Sequence, residues 1–123
     1  MRALVVDDSR AIRSILGLTL KGLGFEVADA GNGREALERL KSLPRPDVML
    51  VDWNMPEMNG YDFLCAVRAD ATYNDSRVMM VTTETEMEQM IKALSAGANE
   101  YVMKPFTKEV IREKLELMGL LTA

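Results

Sequence analysis

Two periods run through the pattern of apolar and polar positions in this chain. Arg2 to Val6, Val48 to Asp52, Val78 to Val81 and Tyr101 to Met103 are short, nearly continuous apolar runs, the pattern of strands buried on both faces. Phe25 to Ala28 adds a short second strand. Between these runs the apolar residues recur every three or four positions, as on amphipathic helices. The stripes are Ile12, Ile15, Leu16 and Leu20; Ala36, Leu37 and Leu40; Phe63, Leu64 and Val67; Met87, Met90, Ile91 and Leu94, whose methionines are expected in the core; and Val110, Ile111, Leu115 and Met118, expected to face inward. Ser9 and Thr107 stand as N-caps, Asn32-Gly33 as a turn or cap and Asn59-Gly60 as a turn, while Gly22, Gly24, Pro44, Pro46, Gly97 and Gly119 close elements.

Five strands alternating with five helices predict an α/β fold whose parallel sheet is covered on both faces. Right-handed crossovers leave few topologies for it. In such open sheets ligands bind outside the carboxyl ends of the strands, where the strand order reverses. Asp7-Asp8 follow the first run, Asp52 ends the third just before Pro56 forbids its continuation, Thr82 ends the fourth, and Lys104 ends the last. All of these groups therefore meet at one edge of one sheet.

Composition narrows the field. A chain of 123 residues that is 48% hydrophobic fills a single domain, expected to span 1–123 with no output domain. The net charge of −4 offers no electrostatic footprint for nucleic acid or an anionic membrane. The apolar start is too short for a signal peptide and nothing approaches a membrane span, so a cytoplasmic protein is expected. Cys65, among Phe63, Leu64, Ala66 and Val67, reads as a buried, reduced thiol, and with no histidine in the chain nothing activates it as a nucleophile. Met49, Met79, Met80 and Met103 read as core filler.

Three carboxylates on one edge repel, so a proton, a lysine or a cation must neutralise them. Oxygen donors without cysteine or histidine favour Mg²⁺, with Mn²⁺ admitted in its place. Lys104 supplies a point charge for an incoming phosphoryl group, or pairs with Asp52 when the site is empty, and Thr82 supplies a hydroxyl. Asp52, alone after its strand, is the expected nucleophile for an aspartyl phosphate, while Asp7 and Asp8 form a metal pair. Each residue also has a plainer reading: Asp7-Asp8 as a helix cap, Asp52 as a turn former, Thr82 as a cap or turn residue, Lys104 as a solvated loop lysine. Their common position at one sheet edge favours the site.

Val6-Asp7-Asp8-Ser9, Asp52-Trp53-Asn54-Met55-Pro56 with Asn59-Gly60, Val81-Thr82-Thr83-Glu84, Ala96-Gly97-Ala98 and Lys104-Pro105-Phe106 together resemble the receiver domain of two-component response regulators, in its single-domain chemotaxis form, from about Leu4 to Met118. The resemblance implies a flavodoxin-like (βα)5 three-layer sandwich with sheet order 2-1-3-4-5. It implies that Asp52 accepts the phosphoryl group, that Asp8 holds Mg²⁺ directly and Asp7 through water, and that Asn54 lends its backbone carbonyl. Lys104 would contact the phosphoryl group, Thr82 and Tyr101 would act as the switch, and Lys104-Pro105 would be cis. Asn54 and Glu84 would tune dephosphorylation toward a short lifetime, with Thr83 narrowing access.

The implied donor is a CheA-like histidine kinase. The implied reader is a flagellar motor switch protein, or a histidine phosphotransfer protein in a relay, on the face of the fourth helix, fifth strand and fifth helix of a monomer. The resemblance makes the chain a phosphorylation switch, not an enzyme beyond self-phosphorylation from small phosphodonors and autodephosphorylation. A competing class is a Mg²⁺-dependent aspartyl-phosphate phosphatase of the haloacid dehalogenase type. It is disfavoured because Asn54 stands where such enzymes carry a second aspartate. A scaffold with the fold but no phosphorylation is disfavoured by the intact set of Asp7, Asp8, Asp52, Thr82 and Lys104.

Overall fold

The computed structural model describes residues 1–83 and 87–122. Its elements run β1 (Arg2–Val6), α1 (Arg10–Gly22), β2 (Glu26–Ala30), α2 (Gly33–Leu40), β3 (Val48–Val51), α3 (Gly60–Arg68), a 3-10 turn (Ala71–Tyr73), β4 (Arg77–Thr82), α4 (Met87–Ser95), β5 (Glu100–Met103) and α5 (Lys108–Leu117). The strands form one parallel sheet in the order β2-β1-β3-β4-β5. Alternate residues of each strand point to opposite faces. Leu4, Val6, Met49, Val51, Val78 and Met80 pack on one face with Ala36, Phe63, Leu64 and Ala93 from α2, α3 and α4. Val5, Leu50, Met79 and Val81 pack on the other with Leu16, Leu20, Ile111 and Leu115 from α1 and α5. The result is a three-layer sandwich.

β1, β3 and β4 are buried along almost their whole length, as their apolar runs require. β2 runs from Glu26 to Ala30 instead of Phe25 to Ala28 and is half exposed, because it is an edge strand. Side-chain oxygens of Ser9, Asn32, Asn59 and Thr107 each accept a hydrogen bond from the backbone N–H three residues on, fixing where α1, α2, α3 and α5 begin.

The helical stripes prove wider than the faces that are buried. Ile15 is exposed while Leu16 and Leu20 are not. On α4 the buried residue is Ala93, with Met90 half buried against the core. Met87, Ile91 and Leu94 lie exposed on the helix flank, because the helix approaches the sheet through its alanine. Met103, the last residue of the other edge strand, is 45% exposed and is not core filler. Cys65 is exposed too: the inward face of α3 is taken by Phe63, Leu64 and Val67, and position 65 turns away from it.

A candidate phosphoacceptor site at the carboxyl edge of the sheet

Strand register assembles the site. Val6 pairs with Val51 and Val51 with Met80, and the Asp52 N–H donates to the Val6 carbonyl at 2.9 Å. Thr82 pairs with Met103, and the Lys104 N–H donates to the Thr82 carbonyl at 2.9 Å. The side chains of residues 7, 52, 82 and 104 therefore emerge together.

Asp7, Asp8 and Asp52 each offer an oxygen, and these oxygens lie within 4.8 Å of one another. Asp7 and Asp52 are buried, whereas Asp8 is exposed. Lys104 Nζ reaches Asp7 at 2.7 Å and Asp52 at 3.5 Å. The Lys104–Asp52 pairing expected from sequence is therefore present, and Asp7 is a second, shorter partner of the same ammonium. The Thr82 hydroxyl hydrogen-bonds to the Asp52 carboxylate. Burial, and after it the neighbouring Asp7 carboxylate, raise the Asp52 pKa above its ordinary value; Lys104 and Thr82 oppose that shift without cancelling it.

Three carboxylates facing one lysine leave a deficit of positive charge. Oxygen-only donors, part buried and part open to water through Asp8, fit a small hard cation that keeps some of its waters. Asn54 is exposed beyond Asp52, so the loop carrying its carbonyl is open to solvent. Thr83 is exposed and lines a cleft of about 320 Å³ with Ile12, Ile15, Lys104, Pro105 and Phe106. Tyr101 is buried in the same cluster as Met80 and Ala93, and Lys104-Pro105 is cis, as expected. Glu84 lies outside the described residues.

Three features were not foreseen from sequence. Gly60 passes so close to Asp52 that a Cβ there would collide with the Asp52 carbonyl, while its own N–H donates to the Trp53 carbonyl at 2.8 Å. Trp53, buried beside Asp52, stacks on Tyr61 with ring centroids 5.4 Å apart, and Lys92 of α4 sits 4.4 Å from the Tyr61 ring centre. Arg13 donates to the Asp7 carbonyl at 2.6 Å. Only the first had a sequence signal, the Asn-Gly pair.

A doubly wound sheet with an acidic triad and one lysine at its carboxyl edge defines a class, and the family comparison agrees: residues 3–116 match the response regulator receiver domain, and the chain belongs to that family. Its members are phosphorylation switches rather than conventional enzymes. Among similar proteins, chemotaxis protein CheY1 of Helicobacter pylori is 46% identical over 119 residues, covering 96% of each chain. Chemotaxis protein CheY of Pseudomonas aeruginosa is 46% identical over 117 residues, covering 94% of each. Among solved structures, chemotaxis protein CheY4 of Vibrio cholerae superposes with a TM-score of 0.89 at 38% identity, over 95% of this chain and 97% of that one. TrrA of Thermotoga maritima, in complex with Mg²⁺ and BeF, superposes with a TM-score of 0.82 at 30% identity over 95% and 97%.

Proposed function

We propose that this chain is a stand-alone response regulator of chemotaxis, phosphorylated on Asp52 by a histidine kinase and read by a partner protein. The observation that carries the proposal is the convergence of Asp7, Asp8 and Asp52 within 4.8 Å beside Lys104. Asp7 and Asp8, with Asp52 and the Asn54 carbonyl, would hold Mg²⁺, which when bound neutralises charge on the phosphoryl oxygens. An Asp52 oxygen attacks phosphorus, the O–P bond forms, and the N–P bond of phosphohistidine breaks with its electron pair leaving on the imidazole. Lys104 balances the phosphoryl charge and Thr82 donates its hydroxyl to a phosphoryl oxygen. Small phosphodonors would serve in place of the kinase, and water attacking the same phosphorus would reset the switch at a rate tuned by Asn54, Thr83 and Glu84.

The Thr82 hydroxyl now bonded to Asp52 would follow the phosphoryl group, and Tyr101, the second residue of the neighbouring strand β5, would report that shift to the α4-β5-α5 face. Exposed Met87, Ile91, Leu94 and Met103 on that face support docking of a flagellar switch component. The chemotaxis assignment draws on the relatives of matching length. No helix among the described residues is long and apolar enough to cross a membrane.

Trp53, the one tryptophan, supplies the test. Its fluorescence should change saturably with Mg²⁺ and again with beryllofluoride, and Asp52→Asn should lose the second change. Acetyl phosphate with Mg²⁺ should add the mass of one phosphoryl group to the wild type alone. Unchanged fluorescence together with unchanged mass would sink the switch and leave a scaffold.

A further inference from the structure

We propose that Arg13 is a positioning residue for the metal-binding carboxylates, an inference that rests on the Mg²⁺ reading above. Every polar group of Asp7 has a partner. Its N–H donates to the Ala30 carbonyl at 3.1 Å, its Oδ1 accepts from the Ser9 N–H at 2.8 Å, and its Oδ2 accepts from Lys104 at 2.7 Å. Its carbonyl oxygen accepts from Arg13 Nη1 at 2.6 Å. That carbonyl belongs to the peptide joining Asp7 to Asp8, and a peptide unit is planar. Holding its oxygen therefore fixes the plane from which the Asp8 side chain departs. Arg13 sets the angle between the two carboxylates.

The anchor is well made for this. Arg13 lies in the first turns of α1, and its own N–H donates to the Ser9 carbonyl at 3.0 Å, so the guanidinium stands on a capped helix. Its Nε donates at 2.9 Å to Asp29 near the end of β2, and its side chain is only 20% exposed. One planar fork thus ties the β1–α1 loop to the edge strand, which a lysine's single ammonium would not reproduce. Asp29 also balances the guanidinium charge, so Arg13 holds the loop without adding net repulsion toward a cation.

Positioning, electrostatics and simple structural support predict different outcomes. Removing a cation near a metal site should tighten Mg²⁺ binding if charge alone mattered, and a purely structural role would lower the thermal midpoint of the metal-free protein while leaving the Mg²⁺ midpoint in place. Positioning predicts weaker binding despite the lost positive charge. The experiment titrates Mg²⁺ into wild type, Arg13→Gln, Arg13→Lys and Asp29→Asn, followed by Trp53 fluorescence and by calorimetry, with thermal unfolding of each metal-free protein. Arg13→Gln should raise the Mg²⁺ midpoint about tenfold, a typical loss when a group orienting metal ligands is removed. Arg13→Lys should fall between it and wild type, and Asp29→Asn should raise the midpoint less than Arg13→Gln, since the bond to the Asp7 carbonyl survives. A folded Arg13→Gln protein with an unchanged or lower midpoint overturns the inference. If that variant does not fold, wild-type affinity in Arg13→Lys overturns it instead. A wild type blind to Mg²⁺ by both methods removes the metal reading itself, and the inference with it.

Discussion

At the amino edge of the sheet the Arg68 guanidinium donates to the carbonyls of Gly97, Tyr73 and Ser76 and to Asn99 Oδ1, each at 2.9 Å. Asn99 Oδ1 also accepts from the Val78 N–H, and the buried Ser76 hydroxyl donates to the Pro46 carbonyl at 2.6 Å. The Arg68 cation there meets neutral acceptors from several loops. At the carboxyl edge three carboxylates meet one lysine, and burial and Asp7 raise the Asp52 pKa. The first edge is closed by its own hydrogen bonds. The second stays electrostatically incomplete, so an added cation or phosphoryl group changes its energy.

The sharpest way to break that contrast is Arg68→Met. The loss leaves four acceptors short of a charged donor and should lower stability by about 3 kcal/mol in chemical denaturation. The Mg²⁺ midpoint of the folded variant should stay within about twofold of wild type, because no ligand group is moved. A large shift in Mg²⁺ affinity would show that the two edges are coupled, and the contrast would fail.

Gly60→Ala tests how firmly the incomplete edge is held. An added Cβ would meet the Asp52 carbonyl and would stand 2.8 Å from the Asp52 carbonyl carbon and 3.0 Å from Trp53 Cα, all backbone that cannot swing aside. A loss of about 2 kcal/mol is expected, with a weaker beryllofluoride response. Wild-type behaviour would mean that the loop after β3 relaxes freely and that the site is not preorganised.

How much of this could be read beforehand follows the same division. β1, β3 and β4 were legible because strands buried on both faces need continuous apolar runs, and the carboxyl-edge residues followed from where those runs stop. Met87 was expected in the core and lies exposed, because an apolar position at helical spacing looks the same in sequence whether it faces the core or the solvent. The Lys104–Asp52 pair was legible, but the shorter Lys104–Asp7 bond was not, because strand order tells which groups share an edge but not which ammonium–carboxylate distance is shorter. Arg13 and Arg68 stayed invisible because they bind main-chain carbonyls, which no residue type announces.

A smaller effect concerns Asp52 itself. With its pKa raised in the fold, the ionised carboxylate binds its proton more weakly in the unfolded chain than in the native one, and it subtracts from stability at every pH above the raised value. That penalty is relieved as pH falls through the raised value toward the ordinary 3.8, below which both states are protonated. Asp52→Asn should therefore melt several degrees above wild type at pH 7 without Mg²⁺, with the gap narrowing as the pH is lowered through that window. Adding Mg²⁺ should narrow it from the other side, since wild type gains more from the metal. A variant that melts at or below wild type at pH 7 would mean that Lys104 and Thr82 outweigh burial, and the carboxyl edge would then be as closed as the amino edge.

The smallest expected effect lies where the incomplete edge touches α4. Lys92 stands 4.4 Å from the centre of the Tyr61 ring, which also stacks on Trp53 next to Asp52. An exposed ammonium over a ring contributes about 0.5 kcal/mol, so Lys92→Met should lower stability by roughly that amount and shift Trp53 emission slightly. Its Mg²⁺ midpoint should not move, because Lys92 touches no carboxylate of the triad. Its beryllofluoride-induced change at Trp53 is the informative quantity: if the ring stack follows the rearrangement of the site, the change should differ in amplitude from wild type at equal saturation. Equal amplitudes would confine the response to the Asp52 loop and leave Thr82 and Tyr101 to carry the signal toward α4.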